Sequence, residues 1–339
     1  MAHILSRVER KVTEEMNQML TGAYAKEEIF AHVKSMGPTK AAGNDSFLVI
    51  FYQQFWHIIG RDVCNFCLSI PSEGMRLESC NATNIMLIQK IAQPNNLSNF
   101  RPISLCSNLY KIISKTVANH FQKVLDCCID EAQSAFVPGR LITNNILLAY
   151  EVLHTFKQKR VGGKGFLALK LDMSKVYYRV EWSFLRQMLL KMGFASLWVD
   201  SIMHCIDSIS YSIVINGCEG EKFKPTMGLR QGGPLSPYIF LVCNEGLSTL
   251  MCLAERDGMV KRARVSRKDQ RFLIYFFADD IIFFGEASNQ GVQTLKKILQ
   301  EYEEASNKYL GLPNMVGRGK VGVSRSKRSH EAENCQLEH

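Results

Sequence analysis

RFLIYFFADDIIFF, residues 271–284, sets two adjacent aspartates, Asp279 and Asp280, between flanks made almost wholly of Phe, Ile, Leu and Tyr. Like charges beside apolar walls raise one another's pKa and cost stability unless a cation compensates them. One reading is therefore a metal site. The other is a hairpin whose Ala-Asp-Asp turn simply reaches water, since Asp is a common turn residue. This segment alone leaves both open.

A second segment lies far upstream. GFLALKLDMS, residues 165–174, reads as a buried strand, Phe166 to Leu171, that delivers one carboxylate, Asp172, at its exit. Next, Trp182, Leu185, Met188, Leu189 and Met192 recur at helical spacing, and Gly193 is a natural stop. If the Asp172 strand and the Asp-Asp hairpin share a sheet, three carboxylates meet at its edge. Such a set suits a small hard cation such as Mg²⁺, and a pair of such ions can clamp the attacking and leaving oxygens of phosphoryl transfer.

The residues also carry a family resemblance. In order, GPTKAAGNDSF (37–47), NFRPISLCSNLYKIISK (99–115), DEAQSAFVPGRLITNNILLAYE (130–151), KLDMSKVYYRVEW (170–182), GLRQGGPLSPYIFLV (228–242), FFADD (276–280) and KYLGLPNMVGRGK (308–320) resemble the reverse transcriptase of a LINE-type, non-LTR retrotransposon of the plant branch. The similarity runs over roughly residues 15–320. It implies an α+β right-hand polymerase with fingers and an antiparallel palm sheet, and RNA-templated DNA synthesis.

Position by position, Asp172 resembles the first metal-binding aspartate of such a palm, and Asp279 and Asp280 the pair on its hairpin. Tyr177 resembles the ring that packs against the incoming sugar and clashes with a 2′-hydroxyl. Lys90 and Arg101 resemble the fingers cations that hold the triphosphate, where an Arg fork matches phosphate oxygens. Without the surrounding RPISL, Arg101 would read as an ordinary surface ion-pair residue. Gln231 and Gly232 resemble nucleotide-binding positions, and Pro234, Ser236, Phe277, Gly139 and Arg140 template or primer contacts. The glycines and prolines of 228–237 have a local sense as well: they let backbone approach a ligand and set a turn before a helix over Pro237–Leu250. A purely structural loop would use them the same way. The resemblance implies two Mg²⁺ ions, with Mn²⁺ as a substitute, and an RNA template, a DNA primer and deoxynucleoside triphosphates as partners.

The chain departs from the family pattern at three places. Gly233 and Tyr178 stand where the family usually has Asp. Near residue 306, EEASN runs directly into KYLGLP, so a stretch with a Lys-bearing motif is expected to be lost. From the tail onward the sequence VGVSRSKRSHEAENCQLEH is nearly devoid of apolar residues and reads as disordered. The thumb is therefore expected to be largely missing, and an endonuclease before the region is likewise expected to be missing. These features favour a truncated or degenerate copy.

Composition agrees without deciding. The formal charge of +9 over 339 residues fits a polyanionic partner, and 46% hydrophobic residues support a substantial core. Arg256, Lys261, Arg262, Arg264, Arg267, Lys268 and Arg271 lead into the Asp-Asp hairpin, and Lys157, Lys159, Arg160 and Lys164 precede the Asp172 strand. They read as arms along a nucleic-acid backbone or as solvated loops. The eleven cysteines are expected to be free thiols: no apolar leader indicates secretion, and Cys64 and Cys67 form a lone pair inside a helix-like run. The apolar spans fall short of the length needed to cross a bilayer. Nuclear residence is implied by the resemblance alone, and oligomeric state is not legible.

The expected organisation is a helical extension over 1–60, fingers over 61–165, a palm over 166–287, a palm end or thumb remnant over 288–320, and a disordered tail over 321–339. Expected helices include Phe47–Ile59, Asn108–Asp126, Asn144–Lys159 and Gln290–Ser306, and expected strands include Asn84–Ile91, Ser210–Asn216 and Glu221–Pro225. The functional expectation is RNA-directed DNA polymerase. The alternative is an inactive remnant that only binds RNA or primer-template.

Overall fold

The computed structural model describes residues 1–69, 77–158, 165–172, 176–261, 263–264, 271–272, 274–277 and 280–306. The chain divides into two compact units. The first comprises Met1–Val8, Asp126–Arg179 and Leu241–His339, and the second Glu9–Leu125 and Val180–Phe240.

The first unit is organised by an antiparallel sheet of order β3-β9-β8, with β3 at Phe166–Asp172, β8 at Ile274–Phe277 and β9 at Asp280–Glu286. One face carries Leu167, Leu169, Leu171, Ile281 and Phe283, all buried. The other is covered at one end by α7 (Ile142–Gln158), whose Ala149, Val152 and Phe156 pack on Phe284. Phe156 stacks on Phe166 with centroids 4.5 Å apart. Burial on both faces explains why these strands read as continuous apolar runs rather than alternating ones.

Helix α10 (Ser236–Arg256) continues into this unit, where Tyr302 of α11 (Asn289–Ser306) is fully buried and donates its hydroxyl to the Cys243 carbonyl, 2.9 Å away. His3 of α1 (Ala2–Arg7) meets Glu301 of α11 at 2.7 Å. A two-stranded ribbon pairs β6 (Ala263–Arg264) with β7 (Arg271–Phe272).

In the second unit, β1 (Ala82–Gln89) pairs antiparallel with β2 (Phe100–Cys106) and parallel with β4 (Ser210–Ile215), which turns back into β5 (Cys218–Glu219). Helices α2 (Glu14–Thr21), α3 (Lys26–Ser35), α4 (Val49–Gln54), α5 (Trp56–Leu68), α8 (Trp182–Met192) and α9 (Ser196–Asp207) belong to it, with most of α6 (Asn108–Cys128). The α8 face foreseen from its spacing is the buried one, through Leu185, Met188, Leu189 and Met192. Gly193 ends the helix with φ 95.

Several expectations shift in detail. The aromatic helix expected over 47–59 is two helices, broken at Phe55, and the break lets Trp56 lie across Gly60 and stack on Phe30 at 5.2 Å. The return strand after β4 is Cys218–Glu219, not 221–225, because Asn216 and Gly217 both take positive φ and close a two-residue turn. Only Phe223 of the expected strand is bridged, to Tyr211. Against the expectation for apolar spans, α10 is long and apolar enough to match a membrane span, although most of it is buried in the fold. Ten cysteines of the described residues are free, and burial pushes the Cys67 thiol up to about 12.

Candidate active site

Strand β3 and strand β9 run antiparallel in a register that makes Asp172 the direct partner of Asp280. Across the hairpin, Phe277 pairs with the same Asp280, so a two-residue connection, Ala278 and Asp279, joins β8 to β9. That connection lies outside the described residues, as do the side chains of Asp172 and Phe277. The described backbone sets Asp280, at the start of β9, and Asp172, at the exit of β3, at the same end of one sheet.

The apolar cover of this sheet stops before that end. On the face under α7, Phe284 is fully buried and Ile282 packs on the same cluster, whereas the Lys170 and Asp280 side chains are 24% and 38% exposed. Lys170 Nζ donates to Asp280 Oδ2 at 2.6 Å. Among the described residues no three His, Cys, Asp or Glu side chains form a metal-sized cluster. Asp279, the expected third member, is not among them. The donor types in this sequence stretch are carboxylates, which fit a hard divalent cation rather than a soft one.

Tyr177 sits half-buried in a 3₁₀ turn, Val176–Arg179, five positions after Asp172 and in the same unit, and its neighbour Tyr178 is 40% exposed. Gly139 is exposed with φ 79. Arg140 has a different occupation from the template contact expected of it. Its Nε donates to Asp126 Oδ1, Nη1 to the Asp130 and Gln133 carbonyls, and Nη2 to the Asp126 and Ile129 carbonyls, at 2.6–3.0 Å. All five donors of the fork are used, two on Asp126 in the last turn of α6 and three on the carbonyls of Ile129, Asp130 and Gln133 that follow it.

The remaining expected residues lie in the second unit. Arg101 faces Ile88 across β1 and β2, and Lys90 follows just past β1 with its backbone N–H on the Asn99 carbonyl. Residues 88 and 90 share a strand face, so the hairpin brings both exposed cations to one side. Lys90 Nζ also donates to the Ser98 carbonyl at 3.1 Å.

Gln231 and Gly232 are exposed at the turn before α10, and Gly232 has φ 82, a conformation that glycine adopts at no steric cost. Pro234 is half-buried, and Ser236 is the first residue of α10. The run leading into this turn is fastened by Trp182 Nε1, which donates to the Gly228 carbonyl at 2.8 Å.

Arg230 is the residue that reading the sequence missed. It is 6% exposed, lies over the Tyr110 ring at 4.2 Å, and donates to the Asn81 side chain. Asn81 in turn donates to Ser208 Oγ and the Cys205 carbonyl. A buried guanidinium thereby joins the turn, α6, β1 and the end of α9. Its only sequence signal was its place inside the GLRQGG block.

The sequence profile of the reverse transcriptase (RNA-dependent DNA polymerase) family matches residues 88–311, more than half of the chain and a span containing every site residue named above. The chain belongs to the reverse transcriptase family. It is 27% identical over 277 residues to the transposon TX1 uncharacterized 149 kDa protein of Xenopus laevis, an alignment covering 81% of this chain and 20% of that protein. The Pol polyprotein of retrotransposable element R2DM of Drosophila melanogaster is 27% identical over 219 residues, covering 64% of this chain and 19% of the polyprotein. An uncharacterized mitochondrial protein of Arabidopsis thaliana is 45% identical over 67 residues, covering 20% of this chain and 55% of that protein. This reverse transcriptase chain thus spans about a fifth of the length of the TX1 and R2DM relatives.

Proposed function

We propose that the chain is the RNA-directed DNA polymerase portion of a LINE-type, non-LTR retroelement protein, and that it lengthens a DNA primer at its 3′-hydroxyl on an RNA template from deoxynucleoside triphosphates. The observation that carries this reading is the Asp172–Asp280 register at the end of the β3-β9-β8 sheet, with Asp279 next in sequence at the hairpin. The 45% identity with the Arabidopsis protein supports the plant branch.

In this reading Asp172, Asp279 and Asp280 hold two divalent ions, Mg²⁺ in the ordinary case. When bound, such ions neutralise charge on the phosphoryl oxygens. The chain's own groups do the rest. Lys90 and Arg101, on one side of their hairpin, bind triphosphate oxygens; Tyr177 excludes a 2′-hydroxyl by its bulk; Gln231 and Gly232 position the nucleotide. Pro234, Ser236, Phe277 and Gly139 belong to the template and primer path.

A second reading has a specific basis. Gly233 and Tyr178 replace the family's usual aspartates, which favours a copy that binds RNA or primer-template without turning over. Extension of a DNA primer on an RNA template with Mg²⁺ separates the two. The wild-type chain is expected to extend and the Asp279→Asn, Asp280→Asn double variant to lose on the order of a hundredfold or more. Equal signal from both removes the polymerase proposal, and salt-sensitive binding without extension supports the second reading.

A further inference from the structure

The metal reading leaves Lys170 without a role. It lies two residues before Asp172 on β3 and opposite Ile282, diagonal to Asp280 across the strand pair. Its inward neighbours Leu169 and Leu171 are 3% and 1% exposed, and Ile281 beside Asp280 is fully buried, so both strands are anchored by their other face. Lys170 and Asp280 emerge where the α7 cover ends, and the ammonium sits on the carboxylate at 2.6 Å.

An acidic pair at a sheet end is a like-charge problem whenever no ion is present. A monovalent cation supplied by the neighbouring strand position relieves it. The same ammonium then stands against an oxygen that a divalent ion would need, and two positive charges cannot share one carboxylate at close range without repulsion.

We propose that Lys170 is the resident counter-ion of Asp280: it holds the carboxylate in the metal-free protein and, by competition, sets how tightly a divalent cation binds. The inference rests on the assignment of Asp280 as a metal ligand made above. Lys170 is on this account a positioning residue, since it acts through Asp280. If Asp280 holds a divalent ion, loading of the site would be an exchange of one carboxylate partner for another, since Lys170 already occupies Oδ2.

The test is Mn²⁺ binding to the full chain, followed by the loss of the free-ion electron paramagnetic resonance signal, with no nucleotide, primer or template present. Four proteins are compared: wild type, Asp280→Asn, Lys170→Met and Lys170→Arg. Asp280→Asn is expected to weaken the tight site by about tenfold, as removal of a charged oxygen ligand does. Lys170→Met is expected to tighten it by about fivefold, the scale of one partly exposed charge pair. Lys170→Arg keeps the charge and should stay within about twofold of wild type.

If Asp280→Asn binds as wild type does, the metal assignment fails and this inference with it. If Asp280→Asn weakens binding but Lys170→Met leaves it unchanged or weakens it, the counter-ion inference alone is overturned. Tightening by Lys170→Arg equal to that of Lys170→Met also overturns it, because charge would then not be the cause. Far-ultraviolet circular dichroism in chelator checks folding. Should Lys170→Met not fold, Lys170→Gln carries the same expectation.

Discussion

At the scale of single residues, the family motif and the structural job of a side chain come apart most plainly at Arg140. Its guanidinium ties the last turn of α6 to the segment that follows it with five donations, four of them to backbone carbonyls. Arg140→Ala should therefore cost about 2–3 kcal/mol of stability, the scale of hydrogen bonds from a charged donor, measured by urea unfolding. A phosphate-binding residue on the surface would instead leave unfolding unchanged and weaken only RNA binding. Gly233 allows a prediction of the opposite sign. A Cβ built there lies 2.9 Å from the Ser236 hydroxyl, the rotatable end of a side chain, and 3.5 Å from Arg230 Cβ. Gly233→Asp would place a carboxylate beside Ser236 and the first turn of α10, where a negative charge is favoured by roughly 0.5–1 kcal/mol. Urea unfolding of this variant should show a stability equal to or above wild type; a loss of more than that amount refutes the capping argument. The aspartates proposed to hold the metal ions were legible because two charges in an apolar run are conspicuous. Arg230 was not, since a lone Arg carries no sequence signal for burial; the ring of Tyr110 and the amide of Asn81, distant in sequence, help make its position tolerable.

At the scale of elements, local chemistry predicted most helices and the central hairpin. Gly193 was read as a stop, and it ends α8 with φ 95. A Cβ there would also approach Arg10 Cγ at 2.6 Å and the Val12 carbonyl at 3.1 Å. Gly193→Ala should cost at least about 1–2 kcal/mol for the left-handed backbone alone, read as a lowered denaturation midpoint with unchanged slope. The pairing of β3 with β9 could be guessed from carboxylate spacing, but the parallel pairing of β1 with β4 could not. Strand partners far apart in sequence are set by packing, and nothing in Ala82–Gln89 names Ser210–Ile215. The split of the Phe47–Ile59 helix escaped for the same reason: its amphipathic pattern is intact, and the break at Phe55 accompanies a stacking of Trp56 on Phe30 of another helix.

At the scale of the molecule, acid sensitivity is tied to one contact of the second unit. Glu28 on α3 accepts from His120 Nε2 at 3.0 Å and Lys123 Nζ at 3.1 Å on α6. The His120 hydrogen bond holds its carboxyl at about 2, below its ordinary 4.5. A depressed carboxyl contributes stability that is present above its unfolded value and lost as pH falls through the folded one. Wild type should therefore exceed Glu28→Gln in stability at pH 6, and the gap should close between pH 4.5 and 2; a constant gap contradicts the assignment. The division of the chain has a consequence for biosynthesis. Phe166–Asp172 leaves the ribosome long before its pairing partner Asp280–Glu286, and the whole of Val180–Phe240, which belongs to the other unit, is translated in between. Throughout that interval an apolar strand waits with bare backbone edges, a state prone to self-association. Nascent chains stalled before residue 280 should be bound by chaperones far more than those stalled after Ser306, so the hairpin that carries the aspartates is also the piece whose arrival ends the vulnerable phase of synthesis.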